Sequence, residues 1–340
     1  MKEPGGMIAL IGGSGFIGTR LARRLLEAGR RIRIIDIAPS RFYPEHWVAG
    51  DVRNRKSFQT ALRGCTEIVN LAAQHKDNVR PRSLYDEVNV EGSRQACLAA
   101  EESGIKSIVF TSSVAVYGQA PANTGESGRT EPSNDYGRTK LEAESVYRDW
   151  HSRAPEDRKL VIVRPTVVFG ERNRGNVYNL LTMIAAGRFI MVGRGENIKS
   201  MAYVENVASF LQFCLDMPPG MRLFNYVDKP DFTMRQLVRF VQAKLKRGAR
   251  LNLSIPYWLA RLGGRAFDLL AACTGREWPV SSVRIEKFCA TTQFSADRLA
   301  EETGFAPPVS LPDALSRTVE FEFLQGRGNG ANGQVLFESE

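Results

Sequence analysis

Short apolar runs alternate with longer segments of helical spacing through the first half of the chain. Residues Met7–Ile11 form an apolar run that ends in glycines, and residues 16–28 follow with apolar positions three to four apart until Gly29. This order predicts a strand, a tight turn and a helix. Further strands are predicted at residues 31–37, 47–49, 67–71, 107–112 and 160–164, and further helices at 56–63, 84–103 and 136–151.

This alternation predicts an α/β fold, because parallel strands need long right-handed crossovers, usually helices, between them. Residues 1–170 are expected to form a Rossmann-type doubly wound parallel sheet. Beyond Gly170 the pattern changes to helices at 176–186 and 233–246 and a strand that continues as helix at 200–214. We therefore expect a smaller α/β substrate lobe over residues 171–325, with some later segments returning to the first domain. Residues 326–340 are expected to be a mobile tail.

The composition is that of an ordinary globular protein with a sizeable core: of 340 residues, 43% are hydrophobic and 24% charged. No apolar stretch approaches the roughly 20 residues that cross a bilayer, and the first six residues lack an apolar run. We expect neither a membrane span nor a cleaved signal. Five dispersed cysteines without a C-x-x-C pair predict reduced thiols in the cytoplasm, and three scattered histidines predict no metal site.

The net charge of +9 suggests an anionic partner. Nucleic acid, a phosphorylated substrate and an anionic membrane face all fit this charge, as does an ordinary solvated basic surface. Nucleic acid is the least favoured partner, because the basic residues are spread out and no recognised binding module accompanies them.

A glycine-rich turn lies directly after the first predicted strand and opens the first helix. Glycines there permit a tight turn and the close approach of a pyrophosphate, whose charge is met by the N–H groups at the helix start. The candidate cofactor residues of this turn are Gly12, Gly15, Phe16, Ile17 and Gly18. The turn predicts that residues 1–170 bind a dinucleotide.

An acidic residue at the end of the second predicted strand points to NAD. Asp36 follows Gly18 by eighteen positions. A carboxylate there accepts hydrogen bonds from ribose hydroxyls and repels a 2′-phosphate, so NAD is favoured over NADP, although Arg41 lies close in sequence. Asp51 and Val52, after the third strand, are expected to meet the adenine.

A tyrosine and a lysine four residues apart predict the catalytic centre. Tyr136 and Lys140 project from one face of a predicted helix. An ammonium near a phenol lowers the phenol pKa from about 10 towards the working pH, so Tyr136 could act as a base. Ser113, at the end of a predicted strand, could share the proton of the substrate.

With these motifs the chain resembles the extended short-chain dehydrogenase/reductase superfamily, within its sugar epimerase and dehydratase branch. The matching motifs are the glycines 12, 15 and 18, the loop Leu71, Ala72 and Ala73, the segment 89–92, the trio Ser113, Tyr136 and Lys140, and the segment 164–170. The resemblance implies NAD as cofactor. It also implies that Leu71, Ala72, Ala73, Tyr136, Lys140, Pro165 and Val168 contact NAD, and that helices 84–103 and 136–151 form a homodimer.

Residues 112–118 contain no carboxylate, whereas the dehydratases of this branch carry an acid there. The stretch resembles the 4-epimerases, in which the tyrosine phenolate removes the C4 hydroxyl proton while hydride passes from C4 to NAD. The flat 4-keto sugar turns over and hydride returns to its other face. A net sugar dehydrogenase or reductase, and a dinucleotide sensor without catalysis, remain alternatives.

The substrate-lobe segments depart from the pattern of UDP-sugar 4-epimerases. Lys199 stands where those enzymes have an arginine, and residues 281–294 replace their stretch near the uridine. Blocks at 171–180, 199–204, 225–231 and 281–294 resemble the epimerases that interconvert N-acetylglucosamine and N-acetylgalactosamine on diphospho-undecaprenol in O-antigen and surface polysaccharide synthesis. The resemblance implies the substrate residues Ser113, Asn176, Asn179, Lys199 and Arg284. A UDP-sugar 4-epimerase stays open as the alternative.

Residues 254–273 mix apolar side chains with Arg261 and Arg265. This segment could lie on an anionic leaflet, which would place a cytoplasmic protein peripherally on the inner face of the cell membrane, or it could be ordinary packing of the lobe. Both interpretations remain open.

Overall fold

The computed structural model describes residues 6–76, 79–246, 254–274, 286, 289–325 and 337. The strands are β1 Met7–Ile11, β2 Ile32–Asp36, β3 Trp47–Ala49, β4 Cys65–Asn70, β5 Ser107–Thr111, β6 Lys159–Pro165, β7 Val167–Phe169, β8 Met191–Val192, β9 Ile198–Lys199, β10 Met201–Tyr203, β11 Gly220–Tyr226, β12 Phe232–Thr233 and β13 Ser254–Ile255. The helices are α1 Phe16–Glu27, α2 Arg55–Ala61, α3 Ser83–Tyr85, α4 Gly92–Glu102, α5 Asp135–Ser152, α6 Asn176–Ala186, α7 Val204–Leu215, α8 Met234–Lys244 and α9 Tyr257–Thr274, followed by helices Asp297–Thr303 and Leu311–Val319.

Seven strands form one parallel sheet in the order β11-β6-β5-β4-β1-β2-β3, which confirms the predicted fold class. Every residue of β6 is buried, as expected for a parallel strand covered on both faces. The chain runs from β1 to one edge and then from β4 to the other. This reversal opens a crevice at the carboxyl ends of β1 and β4, where ligands bind in such sheets.

Strand β11 was not predicted. It pairs with β6 over seven residues and comes from beyond residue 170. Its first half is only partly buried because it lies at the sheet edge, and Arg222 and Asn225 interrupt its apolar residues. The pattern along this strand therefore matches neither a buried strand nor a regular alternation.

Two helical layers enclose the sheet. The apolar residues of α1 and α7 pack on one face, and those of α2, α4 and α5 pack on the other. Arg23 of α1 donates to Glu205 of α7 at 2.6 Å. A helix from beyond residue 170 thus completes the layer that begins with the glycine-rich turn.

The segment predicted as one helix at 84–103 is broken by a π-helical turn, Asp86–Glu91, between α3 and α4. Asn89 lies in this turn. Its Oδ1 accepts a hydrogen bond from the Gln74 backbone amide at 2.7 Å, and its Nδ2 donates to the Gln74 carbonyl at 3.1 Å. The extra residue of the turn aims this side chain at the loop after β4, as π-bulges often do near functional sites.

A smaller cluster of apolar side chains joins α6, α8 and helix Leu311–Val319 beside the sheet. The pairs β9 with β12 and β8 with β13 lie in this region. The segment 254–273 forms β13 and then α9.

The tail 326–340 lies outside the described residues except for Phe337. The Phe337 amide donates to the Arg172 carbonyl at 2.8 Å, and its ring centroid lies 5.5 Å from that of Phe16. Within the described ranges, no helix has the length and apolarity needed to cross a membrane. The same part of the chain holds no group of three side chains suited to a metal ion.

Candidate active site

A cleft of about 780 Å³ opens at the carboxyl ends of β1, β2, β4, β5 and β6. It lies at the reversal of strand order, where doubly wound sheets bind their ligands. The predicted cofactor residues that line it are Gly12, Gly15, Phe16, Ile17, Gly18, Asp36, Asp51, Val52, Leu71, Ala72, Ala73, Tyr136, Lys140, Pro165 and Val168. The structure therefore brings the whole predicted cofactor set to one cavity.

The glycine-rich turn has room for backbone only. Gly12 has a φ of +74°, and a Cβ there would lie 2.6 Å from the backbone nitrogen of Ala72. A Cβ on Gly18 would lie 2.5 Å from the Cα of Gly13. Gly15, the residue before α1, has no side chain to cap the first amides of the helix. The turn leaves the amides of the helix start to face the cleft, which fits the pyrophosphate of a dinucleotide.

Asp36, the predicted ribose contact, lies beside this turn. Its Oδ2 accepts from the Ser14 amide and its Oδ1 from the Ala38 amide, each at 3.0 Å. Burial raises the pKa of Asp36, and these amides oppose that rise. Arg41 is not among the described residues that line the cleft. The carboxylate therefore fits ribose hydroxyls, and Asp36 faces the cleft while Arg41 is outside its described lining, which favours NAD over NADP.

The expected adenine end of the cleft includes Asp51 and Val52. The Arg53 guanidinium donates to both oxygens of Asp51, with a shortest distance of 2.7 Å, and this contact lowers the pKa of Asp51. Asp51 is thus ionised and held in place at the rim.

Ser113 and Tyr136 are brought together by the packing of the α5 start. The Asn134 side chain accepts from the Gly137 amide at 2.8 Å and so sets where α5 begins. A Cβ on Gly137 would collide with the Ala115 carbonyl. The Ser113 Oγ accepts from the Ala115 amide at 3.1 Å. The absent side chain at Gly137 therefore lets the helix bearing Tyr136 press against the turn that Ser113 caps.

Lys140 lies one helical turn after Tyr136 and is 2% exposed. Its Nζ is 4.3 Å from the centroid of the Phe110 ring. Burial lowers the pKa of Lys140 to about 7, while the charge of Glu144 acts to raise it. The lysine of the predicted trio thus carries a charge that responds to its surroundings near neutral pH.

The predicted substrate residues divide into three groups. Ser113 and Asn176 line the cleft. Asn179, exposed on α6, and Lys199, half-buried on β9, do not line it within the described part of the chain. Burial lowers the pKa of Lys199. Arg284 lies outside the described residues.

Sequence reasoning missed several residues of the cleft wall. These include Gln74, His75, Ser200, Thr292 and Phe294. The last three come together because the Thr292 amide donates to the Ile198 carbonyl and the Ser200 amide donates to the Thr292 carbonyl, each at 2.9 Å. No local pattern reveals a contact between segments so far apart in sequence.

Comparison with known proteins agrees with this geometry. The model of the NAD dependent epimerase/dehydratase family matches residues 8–225. The chain belongs to this family, which confirms the resemblance and the predicted cofactor, NAD.

Its relatives include the N-acetyl-alpha-D-glucosaminyl-diphospho-ditrans,octacis-undecaprenol 4-epimerase of Escherichia coli O157:H7, which is 48% identical over 98% of this chain and 99% of its own. The UDP-glucose 4-epimerase of Vibrio cholerae is 26% identical over 94% of this chain and 95% of its own.

Among solved structures, UDP-glucose 4-epimerase of Thermotoga maritima matches with a TM-score of 0.72 and 20% identity, covering 93% of this chain and 98% of that chain. MoeE5 in complex with UDP-glucuronic acid and NAD matches with a TM-score of 0.73 and 19% identity over 93% of this chain and 98% of that chain. At about 20% identity, these two matches show that the chain shares its fold with both structures.

Proposed function

We propose that this protein is an NAD-dependent C4 epimerase that interconverts N-acetylglucosamine and N-acetylgalactosamine on a diphospho-undecaprenol carrier, in surface polysaccharide synthesis. The observation that carries this proposal is the 48% identity, over nearly the full length of both chains, to a 4-epimerase named for that substrate. The cleft supports it, because Ser113, Tyr136 and Lys140 all line it.

In the proposed mechanism Tyr136, as phenolate, accepts the proton of the C4 hydroxyl. Ser113 hydrogen-bonds the same oxygen, and the Lys140 ammonium stabilises the phenolate. NAD, which the glycine-rich turn, Asp36 and Pro165 would hold in the cleft, would supply a reversible acceptor for the C4 hydride of the sugar. Tyr136 gives its proton back to the C4 oxygen, so the sugar is inverted without net oxidation and NAD is held rather than exchanged.

The start of α6 is a suitable binding site for a diphosphate next to the sugar. Asn176 is its first residue and lines the cleft, and Gly175 before it makes no side-chain cap. The N-terminus of an eleven-residue helix favours negative charge. We propose that Asn176 and this helix start bind the diphosphate. Asn179, Lys199 and Arg284, which are outside the described lining of the cleft, stay predicted contacts of the substrate.

The substrate test uses the purified protein with N-acetylglucosaminyl-diphospho-undecaprenol and, separately, with UDP-N-acetylglucosamine. Released sugars are separated by chromatography, and NADH is followed by absorbance. Epimerisation of the lipid-linked sugar is the expected result. Turnover of the nucleotide sugar alone would contradict the proposal, and stoichiometric NADH would identify a dehydrogenase.

The variant Tyr136→Phe tests the base. It should keep bound NAD and lose epimerisation by several orders of magnitude, because the phenol oxygen is the proton acceptor. Tyr43→Phe, which removes a hydroxyl from a side chain outside the cleft lining, is the matched control and should keep full turnover. Near-normal turnover by Tyr136→Phe would remove this residue from the mechanism.

We further propose that the first turns of α9 dock on an anionic membrane. The α9 face comprises Tyr257, Trp258, Leu259, Leu262 and the neighbouring Ile190. Trp258 is 64% exposed and Leu262 53%. Ile190 joins them because β8, which follows it, pairs with β13 just before α9. Arg261 and Arg265 are also exposed. Aromatic and leucine side chains beside guanidinium groups suit the boundary between acyl chains and anionic head groups.

Vesicle co-sedimentation tests this docking face. Wild type should bind phosphatidylglycerol vesicles more strongly than phosphatidylcholine vesicles, and the double variant Trp258→Ser/Leu262→Ser should lose that binding. Met221→Ser, at an exposed apolar side chain on the sheet edge, is the control. Equal binding by both variants would contradict the assignment.

We also propose that two copies of the chain form a homodimer through α4 and α5. The two helices pack side by side, and Leu98 on α4 is 37% exposed. Leu98→Arg should convert a dimer to a monomer in sedimentation velocity. A monomeric wild type would contradict the proposal.

A further inference from the structure

A buried carboxylate links the three elements that carry the catalytic trio and its cofactor wall. Glu144 on α5 is 1% exposed. Its Oε1 accepts from the Ser112 Oγ at 2.6 Å and from Arg164 Nε at 2.7 Å, and its Oε2 accepts from Arg164 Nη2 at 2.6 Å. Ser112 directly precedes Ser113 on the chain, and Arg164 directly precedes Pro165, which lines the cleft. One side chain thus joins α5 to the ends of β5 and β6.

Arg164 is itself fully engaged. It is buried, its Nη1 donates to the Tyr117 hydroxyl at 2.7 Å, and that hydroxyl donates to Asn225 Oδ1 at 2.8 Å. An apolar pair of similar volume often replaces a buried ion pair without loss of stability. Stability alone therefore does not account for Glu144, whereas the bonds that orient neighbouring elements do.

Glu144 also acts on Lys140. It follows Lys140 by four residues and so shares its face of α5. Its charge opposes the effect of burial on the lysine. The other titratable groups around this pocket are Tyr136, Tyr147 and Arg148 on α5, Arg164 on β6 and His75 on the loop after β4. Arg148 Nη2 lies 3.5 Å from Glu144 Oε2, and β5 presents the Phe110 ring.

We propose that Glu144 is a positioning residue: it aligns the β5 end that carries Ser113 with the helix that carries Tyr136, and it places a negative charge on the face of that helix that carries Lys140. The catalytic part of this inference rests on the proposed function. The electrostatic part does not, because it concerns two residues of this chain alone.

The kinetic test compares Glu144→Gln and Glu144→Asp with Glu142→Gln. Glu142 is the matched control, since it lies on the same helix but pairs with Arg138 at the surface, at 2.9 Å. Glu144→Gln should lower kcat about 100-fold and leave KM nearly unchanged, because a small displacement of the catalytic groups slows the reaction without weakening substrate binding. It should also move the basic limb of the pH profile to lower pH, because Lys140 then loses its proton more easily. Glu144→Asp keeps the charge but shortens the side chain, so kcat should fall while the pH dependence of kcat is unchanged.

Wild-type kcat in Glu144→Gln, or a loss without any shift of the pH profile, would overturn the proposal. Where Glu144→Gln does not fold, Ser112→Ala decides: it keeps the ion pair and removes one orienting bond, so a wild-type kcat there would equally overturn it. The fold of each variant is checked by thermal unfolding and by bound NAD.

A substrate-free measurement separates this proposal from the proposed function. Lys140→Met should stabilise the protein more in the Glu144→Gln background than in wild type at pH 6, because the buried ammonium then lacks its compensating charge. Equal gains in both backgrounds would refute the coupling. Absence of wild-type turnover would contradict the epimerase proposal and leave this result unchanged.

Discussion

Replacing Lys140 by methionine should stabilise the NAD-free protein while it removes the activity. The lysine is buried, and burial lowers its pKa from the ordinary value of 10.5 to about 7. Methionine is similarly long and flexible but uncharged, so it can fill the same space next to Phe110. The variant therefore isolates the cost of keeping an ammonium in the core.

The size of this cost follows from the pKa difference. Each pKa unit corresponds to about 1.36 kcal/mol. Below pH 7 the lysine is protonated in both the folded and the unfolded chain, and the full cost of about 5 kcal/mol applies. Between pH 7 and 10.5 only the unfolded chain keeps its proton, so stability rises with pH and the cost shrinks to about 1 kcal/mol at pH 10. The stabilisation by Lys140→Met should shrink in the same way.

The assay is urea unfolding at pH 6, 8 and 10, followed by tryptophan fluorescence, with the m-value checked for constancy. Lys106→Met, which replaces an exposed lysine paired with Asp157, is the control and should change stability by less than about 0.5 kcal/mol. A variant at Lys140 that is no more stable than wild type at pH 6, or whose gain is the same at pH 6 and pH 10, would refute the reasoning.

The remaining predictions concern the cofactor turn and the buried thiols. Gly12→Ala should abolish retention of NAD, because the φ of +74° strains alanine and the added Cβ would lie 2.6 Å from a backbone nitrogen of the loop after β4; NAD released from the purified protein measures this, and wild-type content would contradict it. Asp36→Asn should weaken NAD binding about tenfold and reduce the preference for NAD over NADP, because the carboxylate that bonds the ribose and repels a 2′-phosphate is lost; calorimetric titration with each cofactor measures this. Cys65, Cys97 and Cys214 should resist alkylation in the native state and react in urea, because burial raises the pKa of each thiol; native-state labelling detected by mass spectrometry would argue against it.

Local patterns predicted the elements that are regular over their own length. Helix α6 was predicted at its observed bounds, and β1 likewise. Both are clearly apolar at the spacing of their structure, so tertiary contacts had little to change. Strand β11 and the π-helical turn at Asp86–Glu91 were missed, because one depends on its place at the sheet edge and the other on the hydrogen bonds of Asn89 to a distant loop.

The cofactor half of the site was likewise accessible from the sequence. The turn from Gly12 to Gly18 works through backbone geometry within one strand, turn and helix, so its residues are neighbours in the chain as well as in space. Tyr136 and Lys140 share a helix face for the same local reason. On the outer wall of the cleft, Ser200 and Phe294 belong to two blocks that the resemblance singled out, but their contact could not be predicted because these residues meet only across the fold.

The sequence by itself determined the class of fold and the dinucleotide turn, and it placed Tyr136 and Lys140 on one helix face, since each of these depends on a period or spacing that the backbone converts directly into geometry. The tertiary structure decided which charges are buried and what surrounds them. Nothing in the sequence distinguishes Glu144 and Arg164, which lie twenty positions apart. Only the packing of α5 against β5 and β6 removes them from water, and a charge removed from water must find its partners there.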